Sequence, residues 1–288
     1  MTDRFTIDTY AVIGNPIAQS KSPLIHASFA RAMGQSMDYT KLLGTVGEFA
    51  KDVDAFRARG ALGLNVTAPF KLDAFAYATQ LGVGARLAGA VNALKFEGDQ
   101  VLGENFDGVG LVRDIQTNLG VALLDKRVLL LGAGGATRGA LLPILQQLPR
   151  SVTVANRDVN KAQSLVTDVQ ATGVADASGK GQNGVLSACS YAALAGSFDI
   201  IINATSASLS GQLPPIAAGL FMPQTLAYEM VYGKGATPFL QLARSAGAVQ
   251  CVDGVGMLAE QAAEAFAWWR GVRPATQDVI KAITVPVF

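Results

Sequence analysis

Short apolar runs recur along the chain at Tyr10–Gly14, Leu62–Val66, Val128–Gly132, Ser151–Asn156, Asp199–Asn203 and Ala248–Val252. Between them lie segments with apolar residues at helical spacing, at Pro23–Met33, Glu48–Arg59, Gly135–Gln147, Val159–Ala171, Thr237–Ala246 and Met257–Arg270. Continuous apolar strands alternating with amphipathic helices predict parallel sheets covered on both faces, an α/β architecture. The length of 288 residues suits two domains. A strand–turn–helix unit starts afresh at Val128, after a helical stretch Asp107–Leu119. The boundary is therefore expected near residues 105–110, with that helix as the hinge. The helices after Gly254 have no strand of their own left and are expected to return to the first lobe. No Pro- or Ser-rich linker separates the lobes, which predicts stiffly joined lobes with a cleft between them.

Composition narrows the chemistry. Half the residues are hydrophobic and 16% are charged, which excludes a disordered chain. The formal net charge of +1 provides no global basic field for a nucleic acid. No apolar leader opens the chain, and the charge-free stretch Ile200–Tyr228 is broken by Pro214, Pro215 and Pro223. A soluble, cytoplasmic protein is expected. There is one histidine, His26, inside a predicted helix without metal-ligand company, and two isolated cysteines, Cys189 and Cys251. No metal site is expected, His26 reads as a packed or surface helix residue, and the thiols read as inert in a reducing compartment. Oligomeric state is expected to be monomer or homodimer.

The stretch VLLLGAGGATRGA, Val128–Ala140, ends a buried strand at Gly132 and opens a helix near Gly135. Glycines there permit a tight turn and let backbone approach a pyrophosphate at the helix N-terminus. With its strand before and helix after, the turn reads as dinucleotide-binding, built on Gly132, Ala133, Gly134, Gly135 and Ala136. The next strand ends at Asn156-Arg157-Asp158, with Lys161 one turn on. A carboxylate at this place serves the ribose hydroxyls of NAD, whereas an arginine accommodates the extra phosphate of NADP. Arg157 and Lys161 favour NADP as cofactor; Asp158 argues for NAD, which stays open.

Polar clusters follow apolar runs in the first lobe, at Ser20-Lys21-Ser22-Pro23, Asn65-Val66-Thr67 with Lys71, Asn92, and Asn105-Phe106-Asp107. Strand-to-helix transitions are where α/β sheets place ligands, and this set suits a hydroxylated, carboxylate-bearing substrate. Each has a plainer reading as well. Ser22 before Pro23 makes a good helix N-cap, Asn65 and Thr67 satisfy turns, and Asp107 caps the hinge helix. Trp268-Trp269 reads as packing against the lobe.

Taken together the blocks SKSP (Ser20–Pro23), NVTAPFK (Asn65–Lys71), AGAVNAL (Ala88–Leu94), GENFDGVGL (Gly103–Leu111), GAGGATRGA (Gly132–Ala140), NRDVNK (Asn156–Lys161), INATSASL (Ile202–Leu209), YGKGATPFL (Tyr232–Leu240) and DGVGMLAEQAAEAF (Asp253–Phe266) resemble the shikimate/quinate dehydrogenase family. The resemblance runs from about Tyr10 to Pro274. It implies two lobes with the active site in the cleft between them. One is an N-terminal α/β substrate domain, residues 1–106 with 255–288; the other is a Rossmann-type NADP domain, residues 107–254. It implies NADP-dependent reduction of 3-dehydroshikimate to shikimate on the way to the aromatic amino acids. Ser20, Ser22, Asn65, Thr67, Lys71, Asn92, Asp107, Tyr232 and Gln261 would hold the substrate, and Lys71 with Asp107 would form the catalytic pair. Gly132–Ala136, Asn156, Arg157, Asp158, Lys161, Met230 and Gly254 would hold the nucleotide. The family more often has Thr in place of Phe106, Ala93 and Asp158, Gly in place of Ser208 and Asp in place of Glu229. Those departures keep open a relative that also takes quinate or prefers NAD. A nucleotide-binding regulatory module without turnover is the third reading.

Overall fold

The structure, a computed structural model, describes residues 7–171 and 185–288. The opening residues Met1–Thr6, part of the stretch read as lacking a leader, lie outside the described residues. Two compact units emerge, Met1–Gly110 with Ala259–Ile283, and Leu111–Leu258 with Thr284–Phe288. The first unit contains β1 (Asp8–Gly14), α1 (Ser22–Ala32), β2 (Met37–Leu43), α2 (Phe49–Arg57), β3 (Ala61–Val66), α3 (Lys71–Tyr77), β4 (Gln80–Leu81), α4 (Val83–Ala88), β5 (Ala93–Glu97), β6 (Gln100–Glu104) and the start of α5 (Asp107–Arg113).

Its sheet runs β2-β1-β3-β5-β6-β4. The pairs β1–β2 and β1–β3 are parallel as expected, but β5 pairs antiparallel with both β3 and β6. This sheet is therefore mixed, and the purely parallel expectation is corrected. The signal for the β5–β6 hairpin is the Gly98-Asp99 turn, with Gly98 at φ 59°, between short strands too mixed in polarity to read as apolar runs. The edge strand β2 escapes the apolar-run criterion for a similar reason, since several of its residues face solvent. Ala11, Ile13, Leu64, Val66, Phe70 and Leu94 make the core on one face. On the other face, Tyr10, Val12, Tyr39 and Ala93 pack with Ala265 and Trp269.

The second unit contains β7 (Arg127–Leu131), α6 (Gly135–Leu145), β8 (Ser151–Ala155), α7 (Val159–Ala171), β9 (Leu186–Cys189), β10 (Ile200–Asn203), β11 (Leu226–Glu229), α8 (Pro238–Ser245) and β12 (Gln250–Asp253). All of its strand pairs are parallel, in the order β12-β11-β10-β7-β8-β9. That is a doubly wound Rossmann order, with its switch point between β7 and β10. Every residue of Val128–Leu131 and Ile200–Ile202 is fully buried, as strands covered on both faces should be.

Two further helices complete the chain, α9 (Val255–Arg270) and α10 (Gln277–Ile283). Within the first unit, the Trp269 indole donates to the Leu94 carbonyl at 3.0 Å and its ring lies 4.8 Å from that of Tyr10. Phe266 packs edge-on against Phe29. The unit junctions fall inside α5 and α9, a few residues beyond the expected boundaries. Leu111 and Val112 are already core residues of the second unit, and the helix Asp107–Leu119 relaxes into a π-helical turn at Asp114–Asn118. Thr284–Phe288 join the second unit rather than the first, with Val287 on an apolar cluster and the Phe288 ring under Arg244.

Candidate functional site

Lys71 is the first residue of α3 and Asp107 the first of α5. Their side chains meet, Lys71 Nζ donating to Asp107 Oδ2 at 2.5 Å, while both keep some solvent exposure. The second oxygen of Asp107 accepts from Asn92 Nδ2 at 2.8 Å. Asn92 in turn accepts the Phe106 backbone N–H at 3.0 Å and lies 3.5 Å from Gln261 Oε1 on α9. Each acceptor of the Asp107 carboxylate therefore has a donor, which fixes its plane and leaves the ammonium of Lys71 presented at its edge. The Asp107 side chain faces Lys71 instead of capping α5; Asn105 Oδ1 accepts the Asp107 N–H at 3.0 Å.

Beneath this pair lies a buried polar layer. Asn65, at the end of β3, donates to the Asn92 carbonyl at 3.3 Å, and its own oxygen accepts from the Tyr39 hydroxyl at 2.6 Å. His26 stacks on the Tyr39 ring at 4.1 Å with an interplanar angle of 6°. Burial lowers the His26 imidazole to about 3, against a smaller opposing effect from Asn65, so the ring is neutral at ordinary pH. Burial likewise holds the Tyr39 phenol well above its ordinary value. Neither Tyr39 nor His26 was singled out as part of the polar layer from sequence, because a tyrosine on an edge strand and a helix histidine carry no local signal of it.

The serine pair sits where α1 begins. Ser22 is the first helical residue and is buried, while Lys21 holds the N-cap position with no side-chain cap bond. The N-cap reading of Ser22 is thus corrected: Pro23 occupies the second helical position, so the cap falls one residue earlier. Ser20 Oγ instead accepts the Ser22 N–H at 3.3 Å. Thr67 lies half-buried in the β3–α3 loop, where its N–H donates to the Ile13 carbonyl at 3.0 Å and the Thr67 carbonyl accepts the Phe70 N–H at 3.0 Å. Ser20, Ser22, Asn65, Thr67, Lys71, Asn92, Asp107 and Gln261 all belong to the first unit, and hydrogen bonds join Asn65, Lys71, Asn92, Asp107 and Gln261 into one network. Tyr232 belongs to the second unit and is exposed.

In the second unit a cleft of about 490 Å³ opens at the carboxyl end of β7. Its lining includes Gly132, Ala133, Gly134, Gly135, Ala136, Asn156 and Arg157, together with Tyr191, Thr205 and Ser206. Gly132 stands at φ 100°, a left-handed conformation that favours glycine, and a Cβ there would meet Thr205 at 3.0 Å. A Cβ on Gly134 or Gly135 would meet nothing, because both face the open groove. No side chain caps α6, so its first N–H groups are available to an anion. This open, glycine-lined cradle fits the pyrophosphate of a dinucleotide.

Arg157 has no hydrogen bond or ion pair among the described residues and is exposed at the groove. Asp158, Lys161, Met230 and Gly254 are outside the cleft lining. Gly254 is required by close approach, since a Cβ would fall 2.3 Å from the Met230 carbonyl oxygen. Between these segments lies Glu229, fully buried, accepting from Asn203 Nδ2 at 3.0 Å, Ser208 Oγ at 2.5 Å and Thr237 Oγ1 at 3.0 Å. Burial pushes its carboxyl up from the ordinary range while these donors pull it back. Cys189 and Cys251 are half-buried, and burial raises both thiols. Among the described residues no group of three or more His, Cys, Asp or Glu side chains is disposed to hold a metal, and no helix is long and apolar enough to cross a membrane.

Comparison with known proteins follows the same division of the chain. The Shikimate dehydrogenase substrate binding domain matches residues 12–94, Shikimate / quinate 5-dehydrogenase matches residues 114–210, and the Shikimate 5'-dehydrogenase C-terminal domain matches residues 254–284. Shikimate dehydrogenase (NADP(+)) of Chromobacterium violaceum is 53% identical over 280 residues, 97% of each chain. The protein of the same name from Nitrosospira multiformis is 53% identical over 274 residues, covering 95% of this chain and 96% of the relative. Among solved structures, an enzyme from Pseudomonas putida superimposes with a TM-score of 0.91 at 52% identity, covering 98% of this chain and 100% of that one. Shikimate 5-dehydrogenase from Thermus thermophilus, in complex with NADP(H) and shikimate, gives a TM-score of 0.79 at 28% identity, covering 96% and 98%. With near-complete coverage at such identity, and with both the glycine cradle and the Lys71–Asp107 pair in place, this chain belongs to the shikimate dehydrogenase family.

Proposed function

We propose that the protein catalyses the reversible, NADP-dependent reduction of 3-dehydroshikimate to shikimate, with Lys71 and Asp107 as the catalytic pair. The observation that carries this reading is the 2.5 Å Lys71–Asp107 contact inside a set of neutral donors and acceptors. When bound, the nicotinamide supplies or takes up the hydride. The remaining task for the protein is the proton. Lys71, a charged donor held by Asp107, gives a hydrogen bond and then a proton to the ketone oxygen during reduction, and Asp107 keeps the amine oriented to receive one in oxidation. Asn92 holds the carboxylate from its other side, so Lys71 does not swing freely.

Ser20 and Ser22 at the start of α1 suit the substrate carboxylate, and Asn65, Thr67, Asn92 and Gln261 suit its hydroxyl groups. Tyr232 is assigned to substrate by resemblance. Gly132–Ala136 receive the pyrophosphate on backbone N–H groups, Asn156 and Arg157 the adenosine ribose and its phosphate, and Lys161 adds positive charge nearby. Met230 and Gly254 are assigned to the nucleotide by resemblance. The domain roles follow, the unit Met1–Gly110 with Ala259–Ile283 for substrate and the unit Leu111–Leu258 with Thr284–Phe288 for nucleotide. The protein works in the cytoplasm as a monomer or homodimer on a small-molecule substrate.

A spectrophotometric assay of shikimate and quinate oxidation, each with NADP and with NAD, tests the reading. Turnover is expected to be highest with shikimate and NADP. A higher kcat/KM with NAD, or with quinate, would overturn the corresponding part, and binding of NADPH without any turnover would overturn it whole.

A further inference from the structure

The residues Asn156-Arg157-Asp158 raised a contest between a cation and an anion at the place where a 2′-phosphate is read. The geometry separates the two. Asp158 immediately precedes α7, and its Oδ1 accepts the Asn160 N–H at 3.1 Å, the bond of a helix N-cap. Asn156 Nδ2 holds the Asp158 carbonyl at 2.9 Å, which fixes the turn that aims the carboxylate along the helix. Asp158 is not part of the cleft lining, whereas Arg157 is.

A second side chain shares that end of the cleft. β9 is the neighbour of β8, and the Asn156 N–H donates to the Cys189 carbonyl at 3.2 Å. Two residues on, Tyr191 opens a 3₁₀ turn, Tyr191–Ala193, and lines the same cleft as Asn156 and Arg157. Tyr191, partly buried, packs against the apolar cluster that includes Leu129, Leu131 and Ala155. The phenol hydroxyl has no hydrogen-bond partner among the described residues. Burial raises the phenol and the positive charge of Arg157 opposes that rise, which places the two groups in each other's field. A half-buried donor without a partner, beside a free guanidinium in a groove that fits a dinucleotide, is suited to an oxyanion.

We propose that Tyr191 is a specificity-determining residue of this groove, its hydroxyl donating a hydrogen bond to the 2′-phosphate of NADP beside Arg157, while Asp158 is withdrawn from that phosphate as the cap of α7. The inference rests on the NADP reading given above. It is tested by calorimetric titration of the full chain with adenosine 2′,5′-bisphosphate and, separately, with adenosine 5′-monophosphate. Wild type binds the bisphosphate more tightly. Tyr191→Phe, which keeps the ring and its packing, is expected to weaken the bisphosphate roughly tenfold, as for a lost hydrogen bond to a charged group, and to leave the monophosphate unchanged. Equal weakening of both ligands, or no weakening of either, would overturn the role of Tyr191. Arg157→Ala serves as the reference for selective loss. A wild-type chain that binds the two nucleotides equally would instead refute the NADP reading itself, a result distinct from failure of Tyr191 alone.

Discussion

The two candidate sites are built by opposite means. In the first unit, side chains hold one another: Tyr39 fixes Asn65, Asn65 reaches the backbone beside Asn92, and Asn92 and Lys71 together hold Asp107. In the second, the groove is mostly backbone and small residues, Gly134 and Gly135 face open space, and Arg157 is uncommitted. Acid–base chemistry needs a donor at a fixed place, so ordering is done before substrate arrives. Phosphates need many N–H donors and room to approach, so the groove gives up side chains for access. A single substitution is therefore expected to hurt chemistry in the first unit and affinity in the second.

Removing the Lys71 ammonium is the sharpest way to break that contrast. Lys71→Ala is expected to lower turnover by about 10²–10⁴-fold, the usual worth of general acid–base help. Calorimetric affinity for NADPH is expected to stay near wild type, because Lys71 lies in the other unit from the groove. Turnover close to wild type would remove Lys71 from the chemistry.

Gly134→Val addresses the groove. A Cβ at Gly134 would meet no protein atom within 4 Å, so thermal stability is expected to hold. The branched group would fill the space a pyrophosphate needs, and nucleotide affinity is expected to fall by roughly 10–100-fold, the equivalent of about 1.5–3 kcal/mol. A fall in Tm with affinity intact would show that Gly134 serves the fold and not the ligand.

The smallest effect concerns Asp158. If its carboxylate caps α7, Asp158→Ala costs about 1 kcal/mol of stability, or roughly 2–4 °C in Tm for a chain of this size. Affinity for the 2′-phosphorylated nucleotide is expected to change little. A tenfold gain in that affinity with unchanged Tm would mean that Asp158 opposes the phosphate after all.

Much of the second unit was legible because its signals are local. Val128–Leu131 is apolar throughout, as a strand covered on both faces must be, and Gly132 marks a left-handed turn that a single residue type favours. Helix α7 was read at Val159–Ala171 for the same reason, since helical periodicity lies within one segment. The first unit was harder. The hairpin β5–β6 and the edge strand β2 carry mixed polarity, so period alone did not reveal them, and the sheet proved mixed. Ser22 was misread as an N-cap because the choice between adjacent residues depends on where the preceding loop lies.

The sequence by itself determined the α/β class, the glycine turn, the membership of the family and the short list of groups able to carry chemistry. It did so because periodicity, backbone freedom and residue type are properties of short segments. Only the tertiary structure decided that Lys71, Asn92, Asp107 and Gln261 converge, that His26 lies neutral against Tyr39, and that Asp158 turns to α7 while Tyr191 joins Arg157. Those are contacts between groups far apart in the chain, or choices among several local partners. Their outcome depends on distance and burial, which no run of residues specifies before the sheets assemble.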